Sequence, residues 1–151
     1  MGVKSVYIIG ALKNRNVMTL AQEIRKLGFD VFDDWITPGP LADQYLLKYE
    51  KGRGHSYHEA LNGRAANHIF EFDFNWLLKC DIAILLMKAG KSAHLELGFI
   101  RGLGKPGYIL FPKEPARFDL MYKLASGIYF DKKELFKELC KLRRSNGRKH
   151  S

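Results

Sequence analysis

Two acids sit where acids are expensive. Glu96 lies in the segment "AGKSAHLELGF", one turn into a run with helical spacing and between Leu95 and Leu97, and Asp73 lies in "FEFDF", between Phe72 and Phe74. Such neighbours make a carboxylate costly unless it is paired or used. Two carboxyls reaching one cleft, one ionised by a helix N-terminus and one kept protonated by apolar walls, are the equipment for breaking a glycosidic bond. Each acid also has a structural account: Glu96 complements the helix dipole, and Asp73 caps or pairs with Lys79 or Arg64. Just upstream, Ser92 falls at an N-cap position, Gly90 allows close approach and Lys91 adds charge, so the free N–H groups of this helix start suit a phosphate, with a plain cap as the alternative. The Gly-Lys-Ser triplet is not a P-loop, because the earlier glycine of that motif is replaced by Leu85.

The elements that must position these residues read as alternating strands and helices. "SVYIIGAL" is an apolar run closing on Gly10, and "TLAQEIRKLGF" follows with Leu20, Ile24 and Leu27 at helical spacing and Gly28 as the stop. "DVFDDW" reads as a short strand and "DIAILLM" as a strand buried on both faces. A helix from about Ser92 to Leu103, a strand "GYILF", a short helix near "FDLMYKLA", a strand "GIYF" and a helix "KKELFKELCKLRR" complete the chain. Between the second and third strands, "PLADQYLLKYEK" has helical periodicity, and "SYHEALNGRAANHIFEFDFNWLLK" reads as one long helix. The alternation implies an α/β domain: three layers, doubly wound, with a five-stranded, mainly parallel sheet of flavodoxin or Rossmann type. In such sheets ligands sit beyond the carboxyl ends of the strands, which makes suspects of Tyr7 to Lys13, Asp33 to Trp35, Lys88 to Glu96 and Phe111 to Lys113.

A chain of 151 residues is about one domain, long enough to bury a sizeable core without staples. Two cysteines, Cys80 and Cys140, form no disulfide framework and point to a reducing, cytoplasmic setting. No apolar run suits a secretory signal or a membrane span. The formal charge of +9 leans on "KLRRSNGRKHS", whose five basic residues leave, once set aside, 20 basic against 16 acidic residues, a net of +4. That balance fits phosphorylated small molecules better than a nucleic-acid platform. The expected organisation is a single domain over 1–140, a helical insertion at about 38–67, and a flexible basic tail over 141–151.

"VYIIGAL", "EFDFNWLLKCDIAILL" and "SAHLELGFIRGLGKPGYIL" resemble the nucleoside 2-deoxyribosyltransferase family and its relatives that hydrolyse 5′-nucleotides at the N-glycosidic bond. The shared features are a tyrosine in the first strand, an aspartate eight residues ahead of the one that opens the central strand (Asp73 and Asp81), and E-L-G followed by a small-residue helix and G-K. The likeness spans about Val6 to Gly10 and Glu71 to Leu110. It implies that Glu96 is the nucleophile that attacks the anomeric carbon, that Tyr7 orients its carboxylate, that Asp73 donates a proton to the leaving base and that Asp81 is structural. It also implies a nucleoside or nucleotide substrate, transfer of the sugar to water or to another base, no cofactor or metal, and a homo-oligomer. Many members carry glycines where this chain has His94 and Ser92, and the transferases carry a further acid where it has Gly90, so the phosphate or sugar subsite differs. His94 is expected to narrow the pocket or contact the sugar.

His55, His58 and His68, with Glu59 and Glu71, match no metal motif and read as a polar helix surface. Trp35, at the end of the second strand, packs or stacks on a base. Tyr45, Tyr49, Arg53 and Tyr57 belong to a lid, a subunit contact or a surface hairpin. Against the enzyme stands a non-catalytic reading, in which the fold senses a nucleotide or contacts nucleic acid through the basic tail.

Overall fold

The computed structural model describes residues 2–145. Five parallel strands, β1 (Ser5–Ile9), β2 (Asp30–Phe32), β3 (Ile82–Leu86), β4 (Gly107–Leu110) and β5 (Gly127–Tyr129), form one sheet in the order β2-β1-β3-β4-β5. Each crossover carries helix: α1 (Asn16–Lys26) follows β1, α2 (Ala42–Gly52), α3 (Tyr57–Leu61) and α4 (Arg64–Lys79) follow β2, and α5 (Lys91–Gly102) follows β3. A 3-10 helix, Leu120–Leu124, lies between β4 and β5, and α6 (Lys132–Arg144) closes the described chain.

The period-two alternation of strand side chains sorts the core into two halves. Val6, Ile8, Ile82 and Ile84 pack with Val17, Leu20 and Ile24 of α1 and Leu135 and Leu139 of α6. Tyr7, Ile9, Ala83 and Leu85 pack with Leu77 of α4 and Ala93, Leu97 and Ile100 of α5. All five residues of β3 are buried, as its unbroken apolar run requires. Asp81 ties the strand starts together, accepting from the Ser5 N–H at 2.8 Å. The sheet is wound outward in opposite directions from β1 and from β3, so the strand order switches between these two parallel strands and the cleft of this fold opens beyond their carboxyl ends.

The long helix read over 56–79 is two helices. Ser56 and Glu59 form a capping box that starts α3, and Asn62 Nδ2 donates to the His58 carbonyl at 2.9 Å as α3 ends. Gly63 then caps α4 in an extended conformation, where a Cβ would stand 3.3 Å from the Ala60 carbonyl oxygen. The short helix near "FDLMYKLA" is the 3-10 segment. Of the basic tail, Lys141, Arg143 and Arg144 occupy the last turn of α6, with Leu142 packed against the core; Arg148 and Lys149 lie outside the described residues. Among the described residues no helix is long and apolar enough to cross a membrane.

Candidate active site

β1 supplies Tyr7, whose ring packs between Phe32 and the α4–α5 layer; its centroid lies 4.9 Å from that of Phe32. Gly10 follows the strand with its missing side chain toward the cleft wall: a Cβ there would stand 3.0 Å from Val17 Cγ2 and 3.7 Å from the Trp35 ring. Trp35, on the 3-10 helix Asp34–Ile36, is fixed by its indole N–H, which donates to the Ile8 carbonyl at 2.7 Å. α4 contributes Asp73, and α5 contributes Ser92, Ala93 and Glu96, spaced so that they share one helix face. These residues line one cavity of about 150 Å³ together with Asp43 of α2. Tyr7, Asp73 and Glu96, placed apart in the sequence, therefore meet at the carboxyl edge of the sheet, with Gly10, Trp35 and Ser92 around them.

Ser92 is not the N-cap. Gly90, in extended conformation, takes that position, so Ser92 is the second helical residue, its side chain makes no cap hydrogen bond, and its hydroxyl is left to the cavity. Glu96 accordingly sits in the second turn, where the dipole has faded. Its burial does not come from Leu95 and Phe99 either: Leu95 is 76% exposed and Phe99 points half outward, and only Leu97 packs inward. Gly90 and Lys91 are exposed at the helix start and do not line the cavity.

His94 faces the other way. Its Nδ1 donates to the Gly90 carbonyl at 2.7 Å and its Nε2 pairs with the Tyr122 hydroxyl at 3.1 Å, in a separate cavity of about 450 Å³ shared with Arg101 and Arg117. The alternative partner for Asp73, Lys79, lies over the Trp76 ring at 5.8 Å. The insertion's histidines are spread out: His55 pairs with Glu50, and His58 sits on α3 beside Asn62. Among the described residues no cluster of three or more His, Cys, Asp or Glu side chains gathers as a metal site. Arg53 lies over the Tyr49 ring at 5.4 Å, and Tyr57 lines a neighbouring cavity, so neither contributes to the wall around Glu96.

Burial governs the electrostatics. Desolvation, then the Asp73 charge, raises the Glu96 carboxyl to about 7, against the lowering effect of its hydrogen bond with Tyr7. Asp73 is raised to about 6 by desolvation and by Asp43. The Tyr7 phenol is held well above its ordinary value by burial and by the Glu96 and Asp73 charges, so it stays protonated and donates. The two carboxyls thus hold about one proton between them near neutrality, a state in which one can give a proton while the other is ionised. The order of the two differs from the sequence expectation, because the helix dipole does not reach Glu96 and burial does.

Asp43 was not singled out from the sequence. The available signal was its helical spacing with Leu46 and Leu47, which gives it their inward face; its nearness to Asp73 depends on how α2 folds back over the cleft.

No family model matches the chain, and no curated protein sequence matches it. Among solved structures the chain is similar to a 2-deoxyribosyltransferase from the psychrotolerant bacterium Bacillus psychrosaccharolyticus, at 17% identity and a TM-score of 0.57 over 90% of each chain. It is also similar to the Clostridium botulinum CMP N-glycosidase BcmB, at 15% identity and a TM-score of 0.54, over 90% of this chain and 98% of that one. At these identities the likeness is one of fold. It agrees with the resemblance carried by the strand and α5 motifs.

Proposed function

We propose that this protein cleaves the N-glycosidic bond of a nucleoside or nucleoside 5′-monophosphate through a glycosyl-glutamate intermediate. The observation that carries the reading is the meeting of Tyr7, Asp73 and Glu96 in one cavity with both carboxyls titrating near neutrality. A Glu96 carboxylate oxygen attacks the anomeric carbon, the bond to the base nitrogen breaks, and the Asp73 proton passes to that nitrogen. Water or a second base then attacks the same carbon, the ester bond to Glu96 breaks, and the Asp73 carboxylate takes up the proton the acceptor releases. Tyr7 holds one Glu96 oxygen so that the other faces the sugar. With Glu96 at about 7 and Asp73 at about 6, moving the shared proton onto Asp73 reduces the productive form about tenfold in the empty site. A sugar that develops positive charge beside Glu96 reverses that balance.

In the same reading Trp35 stacks on the base, Gly10 gives room beside the first strand, and the phosphate of a 5′-nucleotide rests on the N–H groups at the start of α5, with the Ser92 hydroxyl and Lys91 beside it. Self-association belongs to it too: a second copy would cover Leu95, Phe99, Leu120 and Met121, all exposed, and sedimentation at rising concentration is expected to show a mass above 17.4 kDa.

The test incubates the full chain with a mixed pool of nucleosides and nucleotides and follows free base and sugar-labelled Glu96 peptide by mass spectrometry. Base release that falls by about three orders of magnitude or more in Glu96→Gln is the expected result. Base release undiminished in that variant sinks the nucleophile assignment, and a pool left uncleaved by the unsubstituted protein transfers the case to a nucleotide-sensing module.

A further inference from the structure

The cavity around Glu96 and Asp73, at about 150 Å³, is smaller than the roughly 300–1,000 Å³ of sites that enclose small-molecule ligands. A sugar ring and part of a base fill it. The rest of the ligand must go elsewhere, and a neighbouring cavity offers a continuation. A second cavity of about 320 Å³ lies between α2, α3 and α4 and shares Asp43 and Ile69 with the first. Along α4, Ala66, Ile69 and Asp73 fall at helical spacing on one face, so the wall runs unbroken from the acid into this annex. Leu46 and Leu47 of α2 form the opposite wall, and Asp43, at the junction, is the one charged group among the described residues of the lining.

Its position decides which end of the substrate it serves. Asp73 shares its α4 face with Ile69 and Ala66 of the annex, whereas Glu96 stands on α5, which gives the annex no residue, so the order runs from nucleophile to proton donor to annex. The proton donor stands at the leaving group, so the annex lies on the leaving-group side, beyond the base. Tyr57, Leu61 and Phe70 at its margin are 69%, 59% and 59% exposed, an apolar surface that nothing in the described chain covers.

Building on the function proposed above, we infer that the annex is a subsite for a hydrophobic substituent on the leaving base, and that the preferred substrates are nucleosides or nucleotides whose exocyclic amine carries an apolar, ring-sized group. Asp43 accepts the hydrogen bond of the remaining exocyclic N–H, and Leu46, Leu47, Ala66 and Ile69 enclose the substituent. An apolar cavity of about 150 Å³ already takes a benzene ring, so the volume is sufficient.

The probes are a purine and a pyrimidine nucleoside monophosphate, each with and without a benzyl group on the exocyclic amine. Binding is measured on the full chain carrying Glu96→Gln, and cleavage on the unsubstituted protein. The benzyl forms are expected to bind at least about tenfold tighter than their parents, from the apolar area they bury, and to show a correspondingly higher kcat/KM. Ala66→Phe, which fills the annex, and Leu47→Trp, which fills it from the opposite wall, each bring the benzyl-to-parent ratio to about one; far-ultraviolet circular dichroism checks that each is folded, and either folded variant suffices. Parent and benzyl forms bound and cleaved equally overturn the subsite and leave the glycosidic reading standing. Tighter binding of benzyl forms with no cleavage of any probe keeps the subsite and removes the enzyme. Preferential binding that both folded filling variants retain overturns the subsite, since the group then lies elsewhere. If none of the probes binds or is cleaved, both proposals fall.

Discussion

Glu96 owes its raised pKa to its surroundings, and its helix does not offset them. Tyr7 draws that pKa down; the loss of water and the Asp73 charge push it up. In the proposed reaction the pair is competent when it holds one proton, so kcat/KM should rise with pH as the first proton leaves, near about 6, and fall as the second leaves, near about 7. Tyr7→Phe removes the hydrogen bond that favours ionised Glu96, and the upper limb should move to higher pH. Asp43→Asn removes the charge that raises Asp73, and the lower limb should move to lower pH. Rate profiles of the three proteins from about pH 4 to about pH 9 read these shifts directly, and limbs that stay in place in both variants would detach Tyr7 and Asp43 from the pair. Glu96 and Asp73 were legible as a pair in the sequence, because an acid among apolar residues is conspicuous. Which of them holds the proton was not, since that depends on distances and solvent.

The helical insertion is held by a buried acid that no periodicity announces. Glu50, in the last turn of α2, is 2% exposed, contacts the His55 ring and lies 3.6 Å from Arg53. The turn that brings His55 back requires Gly54 at a φ of +83°, a left-handed conformation that favours glycine. Glu50→Ala is expected to cost about 2 kcal/mol, less than the loss of a fully buried ion pair because both partners are partly exposed. Faster amide exchange confined to α2 and α3, with kcat/KM reduced through a higher KM, is the expected signature, because α2 carries Asp43 into the cleft wall. Exchange unchanged over 42–61 would leave Glu50 without this role. All five strands were legible, β1, β3 and β4 as apolar runs and β2 and β5 as short segments between helical patterns, and so was the doubly wound class. The break at Asn62 and Gly63 was not, because apolar spacing continues across it: Leu61, Ala65 and Ile69 keep helical phase while a local cap and a close backbone approach end one helix and start the next.

The fold balances a cleft that is poor for stability against a sheet that is good for it. Ile8, Ile84, Leu85, Ile100 and Leu135 are fully buried on the two faces of the sheet, while the cavity beyond its edge keeps two acids in surroundings that oppose their charge. A carboxyl whose folded pKa is raised binds its proton more tightly in the folded chain than in the unfolded one. Its contribution is therefore fully present below the unfolded value and is lost as pH climbs through the folded one. For Glu96 that window runs from 4.5 to about 7, and for Asp73 from 3.8 to about 6. Stability should decline across it, and replacing Glu96 with a group that never ionises should remove part of the decline. Glu96→Gln is thus expected to be more stable than the unsubstituted protein at about pH 8, by on the order of 2 kcal/mol after allowance for partial exposure, and nearly equal to it at about pH 4. Dipole complementation, the alternative read from the sequence, predicts the opposite sign at neutral pH, because the variant would lose a favourable charge at the helix start. Urea unfolding of both proteins at the two pH values separates the accounts: a variant less stable at about pH 8 would return Glu96 to a structural role, and a more stable one with its turnover lost would mark a residue kept for chemistry at the expense of the fold.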